Sequence, residues 1–203
     1  MTHLYIENIK EKSPKEIKKE ALSQRLLDYE TNKDYINRIF QKKHPQAQKE
    51  SLCALILLDF ALQSSYGIQE KLIISKTEID KPYFKNSDVK FSISHSEDYV
   101  AVAVSDNEIG VDIEKITDKS RDNMIDRFFL PSEQEFYYNS EDKAAFAVLW
   151  TRKEAYLKYT GKGITEGLSG YDVTKNTELF HEFSHDGYQI CLYSKEKPSI
   201  TII

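Results

Sequence analysis

Apolar and polar residues alternate with a period of two in several stretches of this chain. That period places alternate side chains on opposite faces of a strand, so it predicts half-buried strands. The wholly apolar run Val100–Val104 predicts a strand buried on both faces. Four other strands are predicted before the C-terminal part: Leu4–Ile9, Lys71–Ile79, a strand that begins at Phe91 and ends in a turn at Ser94 and His95, and Val111–Glu114. A last antiparallel set consists of Tyr171–Val173, Leu179–Phe183, Tyr188–Tyr193 and Ile200–Ile203.

Apolar residues three or four positions apart predict helices between these strands. Ser13 and Pro14 are residue types of an N-cap and a first helical position, and Gly67 suits a C-cap. The predicted helices are one opening at Ser13–Pro14 with the stripe Ile17, Ala21, Leu22, Leu26 and Tyr29, then Ser51–Tyr66, Met124–Phe129, Pro131–Tyr138 and Glu141–Thr160. Each half of the chain therefore contains a mainly apolar helix and several strands.

The segment Val111–Glu114 alternates aliphatic and acidic residues. On a strand, Asp112 and Glu114 point to one face, roughly 7 Å apart along the backbone. Two carboxylates there repel each other unless a cation lies between them. A solvated strand face is the alternative interpretation of the same pattern.

A second polar group lies on the last predicted helix. Trp150, Glu154 and Lys158 are spaced four residues apart and so share one helix face. A surface ion pair between Glu154 and Lys158 would explain the spacing equally well. The preceding turns are almost wholly apolar, which predicts a largely buried helix with Lys153, Glu154 and Lys158 where it meets the rest of the protein.

Composition excludes several classes of function. The chain has 203 residues with 40% hydrophobic and 30% charged residues, enough for one large or two small domains. Its net charge of −5 gives no general basic surface for nucleic acid, and no apolar run reaches the roughly 20 residues that span a bilayer. The N-terminus has no apolar signal region, and Cys53 and Cys191 are predicted to be reduced. We therefore expect a cytoplasmic protein that binds neither nucleic acid nor membrane.

Taken in order, these stretches resemble the 4′-phosphopantetheinyl transferases, and in particular their monomeric, two-lobed Sfp type. The resemblance covers about Lys81 to Ile164. It is carried by Phe91-Ser92-Ile93-Ser94-His95-Ser96, Ile109-Gly110-Val111-Asp112-Ile113-Glu114, Arg127-Phe128-Phe129 with Glu133, and Trp150-x-x-Lys153-Glu154-Ala155-x-x-Lys158-x-x-Gly161-x-Gly163.

The resemblance implies an α+β fold of two pseudo-duplicated lobes, each with a helix packed on a mainly antiparallel sheet. We place the boundary near Ser105. Residues 1–104 would form the lobe on the nucleotide side of coenzyme A, and residues 105–203 the lobe with the metal site and the docking surface for a carrier protein. Met124, Phe128 and Phe129 are candidates for contacts with the carrier protein, and a position in the hydrophobic core would explain them equally well.

The resemblance also implies the reaction. A holo-[acyl-carrier-protein] synthase of this kind transfers the 4′-phosphopantetheine group from coenzyme A, its co-substrate, to a serine of an apo acyl or peptidyl carrier protein. Mg²⁺, with Mn²⁺ as a substitute, would bind Asp112, Glu114 and Glu154. Glu154, Lys158 and His95 are the implied catalytic residues. Either Glu154, directly or through a metal-bound water, or Glu114 would accept the proton of the serine.

The implied contacts to coenzyme A are Lys49, Lys81, Pro82, Ser94, His95, Lys153 and Lys158. Lys42 and Lys43 are further candidates for holding the 3′-phosphate. Three residues depart from the family pattern. Glu50 and Leu55 stand at plausible equivalents of positions where related chains often carry arginine, and Asp80 replaces a glycine before Lys81-Pro82. A coenzyme A-binding protein without chemistry, or a Mg²⁺-dependent phosphohydrolase, is the alternative function.

Overall fold

A computed structural model describes residues 1–13, 17, 28–163 and 168–203. Most of the helix predicted to open at Ser13–Pro14 lies outside the described residues. Ile17 is the described member of its stripe, and it is helical and buried in the core. The structure is an α+β arrangement that includes a mixed sheet.

Nine strands form in the described part of the chain, in three sheets. They are β1 (Thr2–Asn8), β2 (Ile74–Lys76), β3 (Pro82–Phe84), β4 (Lys90–Ser96), β5 (Tyr99–Ser105), β6 (Gly110–Lys115), β7 (Phe180–His185), β8 (Tyr188–Tyr193) and β9 (Ser199–Ile202). The first sheet has the order β4-β5-β1-β9, the second has the order β6-β8-β7, and β2 pairs with β3. All neighbours are antiparallel except β1 and β9, which are parallel.

Five α-helices lie between and beside these sheets in the described residues. They are α1 (Tyr29–Phe40), α2 (Pro45–Tyr66), α3 (Asp122–Phe128), α4 (Pro131–Asn139) and α5 (Ala145–Thr160). The long helices α2 and α5 both end at a glycine with a left-handed backbone, Gly67 and Gly161. Among these helices, none combines the length and the apolarity needed to cross a membrane.

The core consists of stacked layers. One cluster joins α2 to a face of the first sheet, through residues such as Leu58 and Val102. The opposite face of that sheet, including Leu4, packs on the second sheet through Val111 and Ile190. A third cluster joins α5 to the outer face of the second sheet. The order of layers is therefore helix, sheet, sheet, helix, with β4 and β6 at the edges of their sheets.

The structure corrects four predictions. Ser94 and His95 lie inside β4 and not in a turn, because the turn comes later, at Glu97, which has a left-handed backbone. The strand predicted over Lys71–Ile79 is reduced to β2. Tyr171–Val173 forms no strand, and Tyr171 instead stacks on Tyr156 of α5.

The fourth correction concerns the last strand. β9 does not join the antiparallel set of β7 and β8 but pairs parallel to β1 in the first sheet. Alternation of apolar and polar residues predicts a strand without indicating its sheet, since the period depends only on which faces are covered. Cys53 and Cys191 are both buried, and neither forms a disulfide with another described residue.

Candidate active site

Alternate serines of β4 connect the two sheets. Ser92 Oγ accepts a hydrogen bond from the backbone nitrogen of Val111 at 3.0 Å, and Ser96 Oγ accepts one from that of Lys115 at 3.2 Å. Between them, Ser94 Oγ donates to Oδ1 of Asp112 at 2.6 Å. Because the period of a strand is two, the same face of β4 carries all three hydroxyls to β6. The edges of the two sheets are thereby held together at Asp112.

Gly110 lets α5 approach the start of β6. A Cβ atom at this position would overlap the carbonyl oxygen of Ala155 and lie 2.5 Å from the backbone nitrogen of Tyr159. Residues with any side chain would therefore separate the strand from the helix. This close approach brings the face of α5 that carries Glu154 and Lys158 to the acidic face of β6.

Lys158 joins three elements at one point. Its Nζ lies 2.7 Å from Oδ1 of Asp112 on β6, and donates to Ser94 Oγ on β4 and to the carbonyl oxygen of Val111, both at 3.0 Å. The Asp112 side chain is 7% exposed and that of Lys158 is 29% exposed, so this ion pair is largely desolvated and screened less than a surface pair. The ammonium is held rigidly, with part of its surface open to solvent.

Two carboxylate oxygens beside Lys158 have no partner among the described residues. Oδ2 of Asp112 and Oε1 of Glu154 are buried and accept no hydrogen bond from that part of the chain. Burial raises the pKa of Glu154, and the nearby charge of Asp112 raises it further, against the opposing effect of Lys158. Burial, together with the charge of Asp112, raises the pKa of Glu114 to about 6. Charged oxygens buried without partners are costly, and a cation is a partner that would satisfy them.

These acids are the predicted metal ligands Asp112, Glu114 and Glu154. Within the described residues, no group of three or more His, Cys, Asp or Glu side chains converges in an arrangement that holds a metal ion. The orphaned oxygens of Asp112 and Glu154 nonetheless fit Mg²⁺, since that ion takes only one or two carboxylates and completes its shell with substrate phosphate and water.

An open cleft of about 580 Å³ extends from this point along α1, the β2–β3 turn and β4. Its described lining includes Ser94, His95, Glu154 and Lys158 together with apolar residues such as Phe91 and Leu157. The cations that line it are Arg38, Lys42, Lys76, Lys81 and Lys158. An apolar cleft edged by five cations suits a ligand with several phosphate groups attached to an organic body.

In the turn before Lys81, Asp80 adopts the left-handed backbone conformation that favours glycine. Asp80 has a φ of 67°, in the left-handed region, and its carboxylate contacts Arg38 at 3.4 Å and Lys76 at 3.1 Å. Lys81 Nζ donates to the carbonyl oxygen of Tyr159 at 2.9 Å and pairs with Glu108. Pro82 lines the cleft beside it. Lys81 therefore joins the β2–β3 turn to the end of α5 and also faces the cleft.

His95 lies on the opposite face of β4 from Ser94. Its Nδ1 is 3.0 Å from Oε2 of Glu50, a residue of α2 that is 7% exposed. Burial lowers the pKa of His95 to about 4, and the cations of Lys42 and Lys158 add to that effect. The imidazole is therefore neutral at physiological pH, so only one of its two ring nitrogens carries a proton.

Two residues predicted to bind coenzyme A lie away from the cleft. Lys49 donates to the carbonyl oxygen of Lys10 at 3.0 Å. Lys153 is 2% exposed and its Nζ lies 2.7 Å from Oε1 of Glu133, which is fully buried. Both side chains point into other contacts, and neither is among the described lining of the cleft. Lys153 instead joins α5 to α4.

Two further cations of the cleft were not among the residues proposed above from the sequence. Arg38 and Lys76 reach the cleft from separate elements, α1 and β2. Trp150 is absent from the described lining and stacks on Phe146, with ring centroids 5.8 Å apart. Of the candidate docking residues, Phe129 is buried in the third core cluster, Phe128 packs against that cluster, and Met124 is half-buried.

Comparison with known families identifies a match in the second half of the chain. Residues 108–201 match the model of the 4′-phosphopantetheinyl transferase superfamily. This stretch contains Asp112, Glu114, Glu154 and Lys158, the charged residues of β6 and α5 described above.

Several curated proteins are similar over a longer stretch. The chain is 32% identical over 134 residues to the 4′-phosphopantetheinyl transferase gsp of Aneurinibacillus migulanus, which covers 64% of this chain and 55% of that protein. It is 36% identical over 129 residues to the 4′-phosphopantetheinyl transferase psf-1 of Bacillus pumilus, covering 61% and 54%. It is 28% identical over 162 residues to the 4′-phosphopantetheinyl transferase Sfp of Bacillus subtilis strain 168, covering 73% and 72%. The chain thus spans about half the length of the first two of these relatives.

Proposed function

Because residues 108–201 match the model of the 4′-phosphopantetheinyl transferase superfamily, we propose that this protein transfers the 4′-phosphopantetheine group of coenzyme A to a serine of an apo acyl or peptidyl carrier protein. The second product is adenosine 3′,5′-bisphosphate. The observation that carries the proposal is the contact of Lys158 with Asp112 and Ser94 at the end of a cation-lined cleft.

The reaction breaks a bond of a pyrophosphate, so catalysis consists mostly of positioning and of neutralising charge on phosphate oxygens. The cleft supports both tasks. Lys42, Lys76 and Arg38 lie along its wall and attract the phosphates of coenzyme A. Lys158, fixed by its three hydrogen-bond acceptors, presents its ammonium to the oxygen that leaves with adenosine 3′,5′-bisphosphate.

A Mg²⁺ ion, with Mn²⁺ as a substitute, would be held by Asp112, Glu114 and Glu154, and when bound would neutralise charge on the pyrophosphate. The unpartnered oxygens of Asp112 and Glu154 support this assignment. The serine of the carrier must lose its proton, and Glu154 and Glu114 are the candidate acceptors. Glu154 lines the cleft and Glu114 is not among its described lining, which favours Glu154.

The layer order supports a further part of the proposal, that the protein consists of two pseudo-duplicated lobes. In this view residues 1–104 place α2 on the first sheet, and residues 105–203 place α5 on the second sheet. β9 crosses to the first sheet. We further propose that the protein acts as a monomer in the cytoplasm, where the thiols of Cys53 and Cys191 would stay reduced.

Intact mass spectrometry of an apo carrier protein tests the reaction. The carrier is incubated with this protein, Mg²⁺ and coenzyme A, and we expect a gain equal to one phosphopantetheine that is lost with a chelator. A carrier with its acceptor serine changed to alanine should show no gain. Asp112→Asn should abolish the gain, whereas Asp88→Asn, at an exposed aspartate, should not.

Two results would contradict the proposal. One is an unmodified carrier with both a fatty-acid and a peptidyl carrier protein. The other is breakdown of coenzyme A without a carrier, which would indicate a phosphohydrolase.

A further inference from the structure

Glu50 is a buried acid that faces the cleft histidine, and the reaction described above gives it no role. Its side chain is 10% exposed, and that of His95 is 34% exposed. Glu50 comes from α2 and His95 from β4, so the contact joins two elements on the wall of the cleft. An ionised carboxylate only accepts hydrogen bonds, and a buried one needs partners. The groups that contact the oxygens of Glu50 must therefore donate to them.

Gln46 supplies the first donor. Its Nε2 contacts the carbonyl oxygen of Glu97 at 2.7 Å and Oε1 of Glu50 at 3.1 Å. A backbone carbonyl only accepts hydrogen bonds, so the amide nitrogen of Gln46 must face it, and the same NH₂ group donates to Glu50. The remaining oxygen of Glu50, Oε2, is then available for His95.

His95 supplies the second donor. An ionised carboxylate cannot donate, so the contact of 3.0 Å requires the proton of a neutral imidazole to be on Nδ1. Nε2 then carries a lone pair. The charged groups that act on the ring are Glu50 of α2, Asp112 of β6, Lys158 of α5 and Lys42, which lies between α1 and α2. The two cations and burial keep the free imidazole neutral.

We propose that Glu50 fixes His95 as the Nδ1–H tautomer, so that a phosphate group of the ligand binds at Nε2 only when the site takes up one proton. This inference rests on the proposed function, because it takes coenzyme A as the ligand. A lone pair on Nε2 and an anionic phosphate oxygen repel each other, and a proton between them converts the repulsion into a charge-assisted hydrogen bond. Glu50 stabilises the resulting imidazolium, so it is a positioning residue that acts through His95.

Replacing Glu50 by glutamine separates this role from a structural one. The amide of Glu50→Gln can donate to Nδ1, so His95 can change to the Nε2–H tautomer and donate to phosphate while neutral. Proton uptake should then disappear, although the side chain keeps its size. Glu97→Gln is the matched control, because Glu97 lies near Glu50 and its side chain pairs with Lys115 rather than with His95.

The test is titration calorimetry of coenzyme A into the full chain at about pH 8, where free phosphate monoesters are mostly dianions. Each titration is done in two buffers with different heats of ionisation, and the difference gives the protons taken up. We expect about one proton per coenzyme A for the wild type and Glu97→Gln, and close to none for Glu50→Gln.

The outcomes separate the two proposals. Binding of coenzyme A by the wild type without proton uptake, or equal uptake by the wild type and Glu50→Gln, would overturn the tautomer inference and leave the transferase proposal intact. No binding of coenzyme A by the wild type or by either variant would overturn the transferase proposal and, with it, this inference.

The tautomer has an independent signature in the free protein. Nitrogen-15 spectra distinguish Nδ1–H from Nε2–H imidazoles, and the chain has five histidines, so the His95 signal is assigned by its loss in His95→Gln. We expect the Nδ1–H pattern in the wild type and in Glu97→Gln, and a change toward the Nε2–H pattern in Glu50→Gln. An Nε2–H pattern for His95 in the wild type would overturn the inference without any ligand.

Discussion

The ammonium of Lys158 lies 2.7 Å from Oδ1 of Asp112 and contacts Ser94 from the same position. Helix α5, strand β6 and strand β4 therefore meet at one charge, at the end of the cleft. Every element that carries a proposed catalytic residue is tied to this point. Movement of any one of them would change the position of the ammonium relative to a bound phosphate.

We predict that Lys158→Met lowers kcat/KM for carrier modification by about 10² to 10³-fold, the loss typical of removing one fixed charge donor. The substitution leaves Asp112 without its cation, so we also expect a loss of about 1–3 kcal/mol in the free energy of unfolding. Rates come from the mass gain of the carrier, and stability comes from urea denaturation. Lys143→Met, at an exposed ion pair with Asp118, is the control. Wild-type transfer by Lys158→Met would remove this residue from the catalytic proposal.

Much of the local structure follows from the sequence because it depends on neighbouring residues. The apolar helix ended by Gly67, the strand over Val100–Val104 and the alternating acids of β6 are all present. The shared face of Glu154 and Lys158 follows from helical periodicity alone.

Features that depend on distant residues could not be obtained in this way. Glu50 and His95 are 45 positions apart, and Arg38 and Lys76 reach the cleft from different elements. Lys153 has the residue type of a phosphate ligand, but the buried Glu133 from α4 takes its charge. The same holds for Asp80. Its left-handed backbone lies beside Arg38 and Lys76, and the sequence around Asp80 does not indicate that its carboxylate pairs with both cations.

The contact of Gly110 with α5 gives a second prediction. Gly110→Ala should reduce the free energy of unfolding by about 3 kcal/mol, because the new methyl group overlaps a backbone carbonyl that cannot rotate away. Carrier modification should fall further than the folded fraction does, since Asp112 moves relative to Lys158. Gly187→Ala is the matched control: it has open space but a φ of +79°, so it should cost about 1 kcal/mol through backbone strain and leave activity per folded molecule unchanged. Equal effects of the two substitutions would contradict the close approach.

The pair Lys153–Glu133 is expected to act on stability and not on catalysis. Lys153→Met leaves the fully buried carboxylate of Glu133 without its cation, which costs about 3–5 kcal/mol. The double variant Glu133→Gln with Lys153→Met should lose less free energy of unfolding than the two single variants lose together. Chemical denaturation of all four proteins measures this coupling. At low temperature, where the double variant is folded, its rate of carrier modification should match the wild type, and a large loss would place Lys153 back among the ligand contacts.

Stability should depend on pH through His95. The pKa of this imidazole is lowered from 6.5 to about 4 in the folded protein, so below pH 6.5 the unfolded chain binds a proton that the folded chain does not. The wild type should therefore lose stability relative to His95→Gln as the pH falls from 6.5 to about 4. Since the side chain is about a third exposed, we expect about 1–2 kcal/mol over this window.

Free energies of unfolding measured at several pH values for both proteins provide the check. The raised pKa of Glu50 changes stability with pH in the opposite direction. Because His95→Gln retains Glu50, the difference between the two proteins contains less of this effect. A difference that is independent of pH would contradict a neutral His95 in the folded protein.

The parallel pairing of β9 with β1 makes the order of folding matter. These strands come from opposite ends of the described chain, so their hydrogen bonds close a very long loop and should form late. Until they form, the outer edge of β1 presents unpaired backbone groups that can recruit a strand of another molecule. Variants that weaken β9 would therefore be recognised first by poor solubility during refolding, while transfer by the molecules that reach the native state stays normal.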